Sequence, residues 1–191
     1  NRALEEGPNL LPPLQCVLML CRQGKHLVTG DLKKAFFQVA LDPEDKVLLF
    51  MYWWEENPET KQMEISIYWF VRLPWGLNCS PFIPQAAIRC HGEDHLDKLN
   101  PDDPVYQVLK DLLQSLYIDD LIKTYDDLSR IKLMLKTADK FLKDGGWEVV
   151  KARSNSKEVN DMLKIDDETI EGIKLLQQKI LGIHYDIKTD T

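Results

Sequence analysis

The stretch LQSLYIDDLIKTY, residues 113–125, governs how the rest of the sequence is interpreted. Two apolar runs of strand-forming residues flank the adjacent aspartates Asp119 and Asp120. Aspartate is depleted inside strands and favoured in turns, so the pattern predicts a hairpin with both carboxylates at its tip. Two acids held this close suit a divalent cation, but the local pattern leaves a solvated turn equally open. The other three Asp-Asp pairs, at 102–103, 126–127 and 166–167, lie in polar surroundings.

Composition limits the class of protein. The 191 residues are 44% hydrophobic and 29% charged, which is ordinary for one globular domain. The net charge of −7 argues against a basic nucleic-acid-binding domain, although clustered catalytic acids lower such a total. No apolar run approaches the roughly 18 residues of a transmembrane helix, so no membrane partner is expected. Cys16, Cys21, Cys79 and Cys90 lack zinc-site spacing with the histidines and are predicted to be reduced thiols of an intracellular protein.

The rest of the sequence alternates irregularly between helical and strand patterns. Helices are predicted at 12–24, 80–96, 105–113 and 126–144, and strands at 25–30, 147–150 and the end of 173–185. Two further strand-like runs, 47–54 and 64–73, are predicted to pair as a long antiparallel hairpin. Its aromatic residues are interpreted as cross-strand packing partners rather than a surface for stacking bases; they are Trp53, Trp54, Tyr68 and Trp69. This order favours an α+β fold, an antiparallel sheet with helices on one face.

A third acid, Asp31, ends the strand that is predicted at 25–30. If this strand lies beside the hairpin, Asp31, Asp119 and Asp120 converge at one edge of the sheet. Three acids in one place need cations, because like charges repel. Two divalent ions bridged by carboxylates are the usual machinery for in-line displacement at phosphorus.

Five segments in this order are similar to the palm motifs of one enzyme family. DLKKAF at 31–36, LPWGLNCSP at 73–81, YIDD at 117–120, GGW at 145–147 and LG at 181–182 resemble those of reverse transcriptases. Residues 7–12, 80–82 and 153–156, with Arg89 and His91, look most like the Bel/Pao class of LTR retrotransposons. The resemblance implies a right-hand polymerase palm at 1–38 and about 79–191, a partial fingers hairpin at about 39–78, and no thumb within the chain.

The resemblance also implies roles for individual residues. The expected catalytic residues are Asp31, Asp119 and Asp120, and the same three bind metal together with the backbone carbonyl of Leu32. The expected nucleotide-binding residues are Leu32, Lys33, Phe36, Trp75 and Gly76, with Phe36 as an aromatic gate against a ribose 2′-hydroxyl. The expected primer and template contacts are Tyr117, Ile118, Leu181, Gly182 and Ile183. Lys151 lies near a motif that supplies a proton donor to pyrophosphate, and a solvated surface position is its alternative.

The function that follows from the resemblance is DNA synthesis from dNTPs on a primed RNA or DNA template. The expected cofactor is a pair of Mg²⁺ ions, with Mn²⁺ as the alternative ion. The expected partners are primer-template, dNTPs and other domains of a polyprotein (protease, RNase H, integrase), in the cytoplasm within a virus-like particle or in the nucleus. A domesticated inactive palm and a right-hand RNA-dependent RNA polymerase are the alternatives, and Phe36 and the YIDD sequence argue against the second.

Overall fold

The computed structural model of the protein describes residues 1–163, 178–180 and 183–185. These residues divide into two compact units. The first unit contains residues 1–8 and 34–84, and the second contains residues 9–33 and the described residues from 85 onward. The expected contact residues Leu181 and Gly182 lie outside the described residues.

Helices and strands alternate irregularly along the chain, and every described strand pairing is antiparallel, as the predicted α+β class requires. In chain order the elements are α1 Leu14–Leu20, β1 His26–Leu32, a 3-10 helix at Ala35–Gln38, α2 Pro43–Lys46, β2 Phe50–Glu56, β3 Met63–Trp69, α3 Phe82–Leu96, α4 Pro104–Leu113, β4 Leu116–Tyr117, β5 Asp120–Tyr125, α5 Leu128–Asp144, β6 Val149–Ser154, α6 Lys157–Met162, β7 Gln178–Ile180 and β8 Ile183–Tyr185.

The main sheet belongs to the second unit and has the strand order β4-β5-β1-β6. Strands β1 and β5 are paired along their whole described overlap, from His26 opposite Tyr125 to Asp31 opposite Asp120. Directly opposed residues in an antiparallel pair share a face, so the register places Asp31 and Asp120 side by side.

The two faces of this sheet carry different residues because side chains alternate along each strand. One face holds Asp31 and Asp120 and, further along, Leu27 and Ile122, which form a buried cluster with Val17 of α1. The other face is mainly apolar: Val28, Leu32 and Leu121 are at most 1% exposed, and Lys123 lies opposite Val28. Helix α5 packs against both β1 and β5. The apolar face therefore fixes the sheet, and the acids project from the opposite face.

Local sequence signals explain where the helices of the second unit begin and end. Asp103 and Asp127 are the N-caps of α4 and α5, and each carboxylate accepts a backbone N–H two residues later. Helix α5 ends in a Schellman motif, in which Trp147 N–H donates to Leu142 O and Gly146 N–H to Lys143 O. Gly146 has the required positive φ of 84°. None of the helices that the structure describes is both long enough and apolar enough to cross a membrane.

The first unit is built around the predicted antiparallel hairpin. Strands β2 and β3 pair from Phe50 opposite Trp69 to Glu56 opposite Met63. One face of the hairpin is almost entirely apolar, and its seven apolar residues are 46–66% exposed; they are Phe50, Tyr52, Trp54, Met63, Ile65, Ile67 and Trp69. Three of the four aromatic residues have the expected apolar cross-strand partner, but their rings stay largely uncovered; they are Trp54 opposite Ile65, Tyr68 opposite Met51 and Trp69 opposite Phe50. Trp53, on the other face, opposes Ser66 rather than an apolar partner.

Several predicted boundaries are wrong for identifiable reasons. The strand expected at 47–54 begins only at Phe50, because Leu48 and Leu49 donate to Asp45 and Lys46 carbonyls and continue the turn of α2. The strand expected at 147–150 runs instead over Val149–Ser154, since Trp147 completes the end of α5 and is buried. The final strand is two short strands, β7 and β8, which pair with each other.

Candidate functional site

Asp31, Asp119 and Asp120 meet at the end of the main sheet where β1 and β5 finish their pairing. Asp31 lies in β1, directly opposite Asp120, the first residue of β5. Asp119 occupies the turn before β5, and its carbonyl accepts the Leu32 N–H at 2.6 Å. Both carboxylates were expected at the hairpin tip, and this is wrong for Asp120, because the turn is formed by Ile118 and Asp119. The three side chains do not bring one oxygen each within 4.8 Å of one another.

The turn before β5 is strained and is held by a hydrogen bond from helix α3. Ile118 has a φ of 57°, a left-handed conformation that a β-branched residue rarely adopts. The buried side chain of Gln85, near the start of α3, donates its amide to the Ile118 carbonyl at 2.7 Å. Strain of this kind persists only where neighbours hold it, and it is concentrated at functional sites. The sequence shows no signal for this role of Gln85.

A bulge in β6 brings a cation to the acids. Strand β6 pairs with β1 on both sides of Gly30, and the register shifts between Thr29 and Asp31. Lys151 lies in this irregularity with a φ of 52°, and its Nζ is 2.8 Å from Asp31 Oδ2. Gly30 allows the approach, since a Cβ there would lie 2.6 Å from Val149. Bulges next to functional sites often redirect a side chain in this way. Lys151 is solvated, as the alternative interpretation expects, and its ammonium group is paired with Asp31.

Burial and mutual repulsion alter the ionisation of two of the acids. Burial raises the pKa of Asp120 to about 6, and the negative charges of Asp119 and Asp31 add to the rise. Burial also raises the pKa of Asp119, while its own backbone N–H and Lys151 oppose the change. The hydrogen bond to Asp31 raises the pKa of Lys151. The site therefore holds excess negative charge that one lysine only partly neutralises, which is the electrostatic setting that favours a bound cation.

Replacing Asp120 by Asn should stabilise the fold at neutral pH. A folded carboxyl with a raised pKa keeps a proton that the unfolded chain has lost between about pH 4 and 6, so the free energy of unfolding falls as pH rises through that window. We expect Asp120→Asn to remove this penalty and to gain about 1–2 kcal/mol at pH 7.5 without divalent ions, after allowing for the half-exposed position. Urea unfolding with EDTA from pH 4 to 8 measures the difference.

The urea unfolding experiment has a matched control and a result that would contradict the prediction. Asp102→Asn changes an acid of another Asp-Asp pair on an exposed turn and should alter stability little at any pH. The gain from Asp120→Asn should disappear towards pH 4, where the wild-type carboxyl is also neutral in the folded state. A variant that is less stable than the wild type at pH 7.5, or a difference independent of pH, contradicts the raised pKa of Asp120.

The remaining site residues that the sequence predicts in the second unit are engaged in packing or pairing. The backbone of Leu32 bonds to Asp119, and its side chain is buried on the opposite face. Lys33 forms an ion pair with Glu148 at 2.8 Å. Tyr117 opposes Asp120 across β4 and β5 and packs against the cluster beneath α1. Ile183 begins β8. Asp31, Asp120 and Tyr117 therefore form one row across three adjacent strands.

The other three predicted residues belong to the first unit. Phe36 lies half-buried in the 3-10 helix, and its neighbour Phe37 meets the ring of Trp75 edge-on, with centroids 5.2 Å apart. Trp75 is exposed and is followed by Gly76, whose φ of 88° makes the turn. The turn is closed by Ser80, whose buried hydroxyl donates to the Pro74 carbonyl at 2.7 Å. The motif at 73–81 thus forms a braced turn that presents Trp75.

Comparison with known protein families gives the class. The second unit combines helices with an antiparallel sheet, and acids are gathered on one face of that sheet. A family model described as reverse transcriptase (RNA-dependent DNA polymerase) matches residues 3–183. The chain therefore belongs to the reverse transcriptase family, whose members bind nucleic-acid templates and dNTPs and generally use divalent metal ions. A search of curated proteins found no match.

Proposed function

We propose that this chain is the palm, with part of the fingers, of a retroelement reverse transcriptase, and that it synthesises DNA on primed RNA or DNA templates. The observation that carries the proposal is the register of β1 and β5, which sets Asp31 and Asp120 opposite each other with Asp119 in the adjoining turn. Family membership over residues 3–183 supports the reaction class.

Asp31, Asp119 and Asp120 are the proposed catalytic and metal-binding residues, with the Leu32 carbonyl as a further ligand. Carboxylate and carbonyl oxygens are the donors that Mg²⁺ prefers, with Mn²⁺ as the alternative ion. Two such ions would activate the primer 3′-hydroxyl and stabilise the leaving pyrophosphate. For the acids to bind cations, Lys151 has to leave Asp31 Oδ2. Its side chain is 69% exposed and can do so at little steric cost.

The substrate contacts are proposed from the positions that match the family motifs. Lys33, Phe36, Trp75 and Gly76 are assigned to the incoming nucleotide, and Phe36 to discrimination against ribonucleotides. Primer and template are assigned to Tyr117, Ile118, Leu181, Gly182 and Ile183. The strained Ile118 turn supports this assignment, because it fixes the backbone beside the acids.

The type of retroelement and the site of action are also part of the proposal. The motif variants at 7–12, 80–82 and 153–156 support the Bel/Pao class of LTR retrotransposons. In that setting the chain acts within a polyprotein that also carries protease, RNase H and integrase domains. The site of action is then a cytoplasmic virus-like particle or the nucleus.

Primer extension tests the function directly. The protein with its native flanking sequences is incubated with an end-labelled DNA primer on an RNA and on a DNA template, all four dNTPs and Mg²⁺ or Mn²⁺. We expect extension on both templates and no extension when EDTA removes the ions. Absence of extension under every condition contradicts the enzyme proposal and favours an inactive palm that serves in binding or assembly. Efficient use of rNTPs favours an RNA polymerase instead.

A further inference from the structure

A second group of metal-binding side chains lies away from the aspartates, where two helices of the second unit meet. His91 and His95 are one turn apart on α3, and Asp144 is the last residue of α5. One ligand atom from each lies within 4.8 Å of the others. Among the side chains described in residues 1–163, one group of three His, Cys, Asp or Glu residues meets this distance criterion, and it is this one. The proposed polymerase reaction uses none of the three.

Hydrogen bonds fix which nitrogen of each histidine is free. His91 Nε2 lies 2.9 Å from the Phe141 carbonyl, and His95 Nδ1 lies 3.0 Å from the His91 carbonyl. A carbonyl only accepts, so each of these nitrogens carries a proton. The lone pairs of the neutral rings are therefore on His91 Nδ1 and His95 Nε2. Metal-binding histidines characteristically donate their other ring N–H to a carbonyl or carboxylate in this way.

The free nitrogen of His95 faces an acid. His95 Nε2 is 3.2 Å from Asp144 Oδ2. A lone pair and a carboxylate oxygen repel each other at this distance unless a proton or a cation lies between them. Ligands at the usual 2.0–2.1 Å from a tetrahedral Zn²⁺ are separated by about 3.3 Å. The observed spacing is thus already that of two ligands of one ion.

The surroundings hold the group in place and favour positive charge. The His91 ring stacks on Phe141 with centroids 4.7 Å apart, and it lies 4.4 Å from the His95 ring. A side chain at Gly145 would collide with His91 and Trp147. The C-terminal end of α5 also contributes partial negative charge next to Asp144.

We propose that the side chains of His91, His95 and Asp144 form a Zn²⁺ site that ties the end of α3 to the end of α5, with His95 Nε2 and a carboxylate oxygen of Asp144 as two of its donors and the His91 imidazole as the third. Two imidazoles and one carboxylate suit Zn²⁺ rather than Mg²⁺, and water completes a tetrahedral set. Asp144 is exposed and gives the ion a route from solvent. The ion links the helix that carries Gln85 to the helix that supports the sheet, so it stabilises the second unit without taking part in nucleotidyl transfer.

Zinc titration of matched variants tests the site. Isothermal titration with ZnCl₂ is done in excess Mg²⁺, which occupies oxygen-only sites but competes weakly for imidazole. We expect one Zn²⁺ per chain at this site. Asp144→Asn and His95→Gln should weaken binding at least about 10-fold, because even loss of a supporting group costs 10–100-fold. Asp139→Asn is the control, since Asp139 lies on the same helix with the same 64% side-chain exposure.

A second measurement identifies the ligand atoms. Nitrogen-15 spectra of the histidine rings should show coordination of both rings, through Nε2 for His95, and Zn²⁺ should raise the melting temperature of the wild type but not of Asp144→Asn. Asp144→Asn should fold normally, since removing an acid from a helix C-terminus is electrostatically favourable. Equal zinc affinity in the wild type and Asp144→Asn overturns the proposal. The proposal is also overturned if the contact between His95 and Asp144 depends on pH but not on zinc, because a protonated His95 bound to Asp144 then accounts for it.

Discussion

Replacing Asp119 by Asn should reduce primer extension by the full-length protein about 10³-fold while the fold remains intact. The substitution removes one negative charge from a site whose proposed work is to hold divalent ions at the reacting phosphate. Metal ions contribute several kcal/mol to such reactions, and a loss of about 4 kcal/mol corresponds to a factor of about 10³. The bond that joins Asp119 to Leu32 uses the Asp119 backbone carbonyl, so the substitution keeps it.

The control for this experiment comes from the same chain. Asp102→Asn also changes the first acid of an Asp-Asp pair, but at an exposed turn before α4. It should extend primers at the wild-type rate, and both variants should bind primer-template with similar affinity. Single-turnover extension over a range of Mg²⁺ concentrations makes the comparison. If Asp119→Asn retains a tenth or more of the wild-type rate, the metal-binding role proposed for Asp119 is wrong.

Replacing Phe36 by Val should lower the selectivity of the enzyme for dNTPs over rNTPs. Phe36 is the proposed barrier to a 2′-hydroxyl, and the smaller side chain would leave room for one. Selection against a single added hydroxyl by shape is worth about 10²-fold, so the ratio of dNTP to rNTP use should fall by about that factor. Incorporation of one dNTP or rNTP at a defined template position, with kcat/KM measured for each, gives the ratio.

Phe37 provides the matched control for Phe36. It is the adjacent aromatic residue of the same 3-10 helix, and its ring contacts Trp75. Phe37→Val removes the same atoms. It should change kcat/KM for dNTPs and rNTPs by the same factor, because only packing is lost. If Phe36→Val lowers the use of dNTPs and rNTPs by the same factor, Phe36 is a packing residue and not a gate.

The main elements of the second unit were predictable because their signals are local. Apolar runs of strand-forming residues on both sides of Asp119 and Asp120 indicate the β4–β5 hairpin, and Gly145-Gly146 indicates the end of α5. The strand pattern before Asp31 is also local, whereas its place beside the hairpin was a condition that the β1–β5 register meets. Each of these inferences needs only the period of side chains along a strand or helix and the turn preferences of a few residues.

The details of the candidate site depend on contacts that no local pattern encodes. The pairing of Lys151 with Asp31 requires the bulge in β6, which depends on Gly30 in a different strand. The division of Asp119 into the turn and Asp120 into the strand depends on Gln85 holding Ile118 from α3. Both features arise from side chains more than 30 positions apart in sequence.

The histidine pair lies between these two cases. The spacing of His91 and His95 by four residues is a visible helical signal, but it is common and is not a site by itself. The third member, Asp144, lies 49 positions after His95 and is brought near only by the packing of α3 beside the end of α5. A search restricted to cysteine-containing patterns therefore passes over it.

The register between β1 and β5 limits how the length of this sequence can change. Inserting or deleting one residue between Val28 and Asp31 would rotate Asp31 onto the apolar face and bring a core residue to its place. Such a change keeps all three aspartates in the sequence. It would nevertheless remove Asp31 from the site and place a charge in the core at the same time. By contrast, the turn at 57–62 between β2 and β3 can gain or lose residues with a small entropic cost. Homologous sequences should therefore differ in length at that turn and keep the β1 segment at constant length.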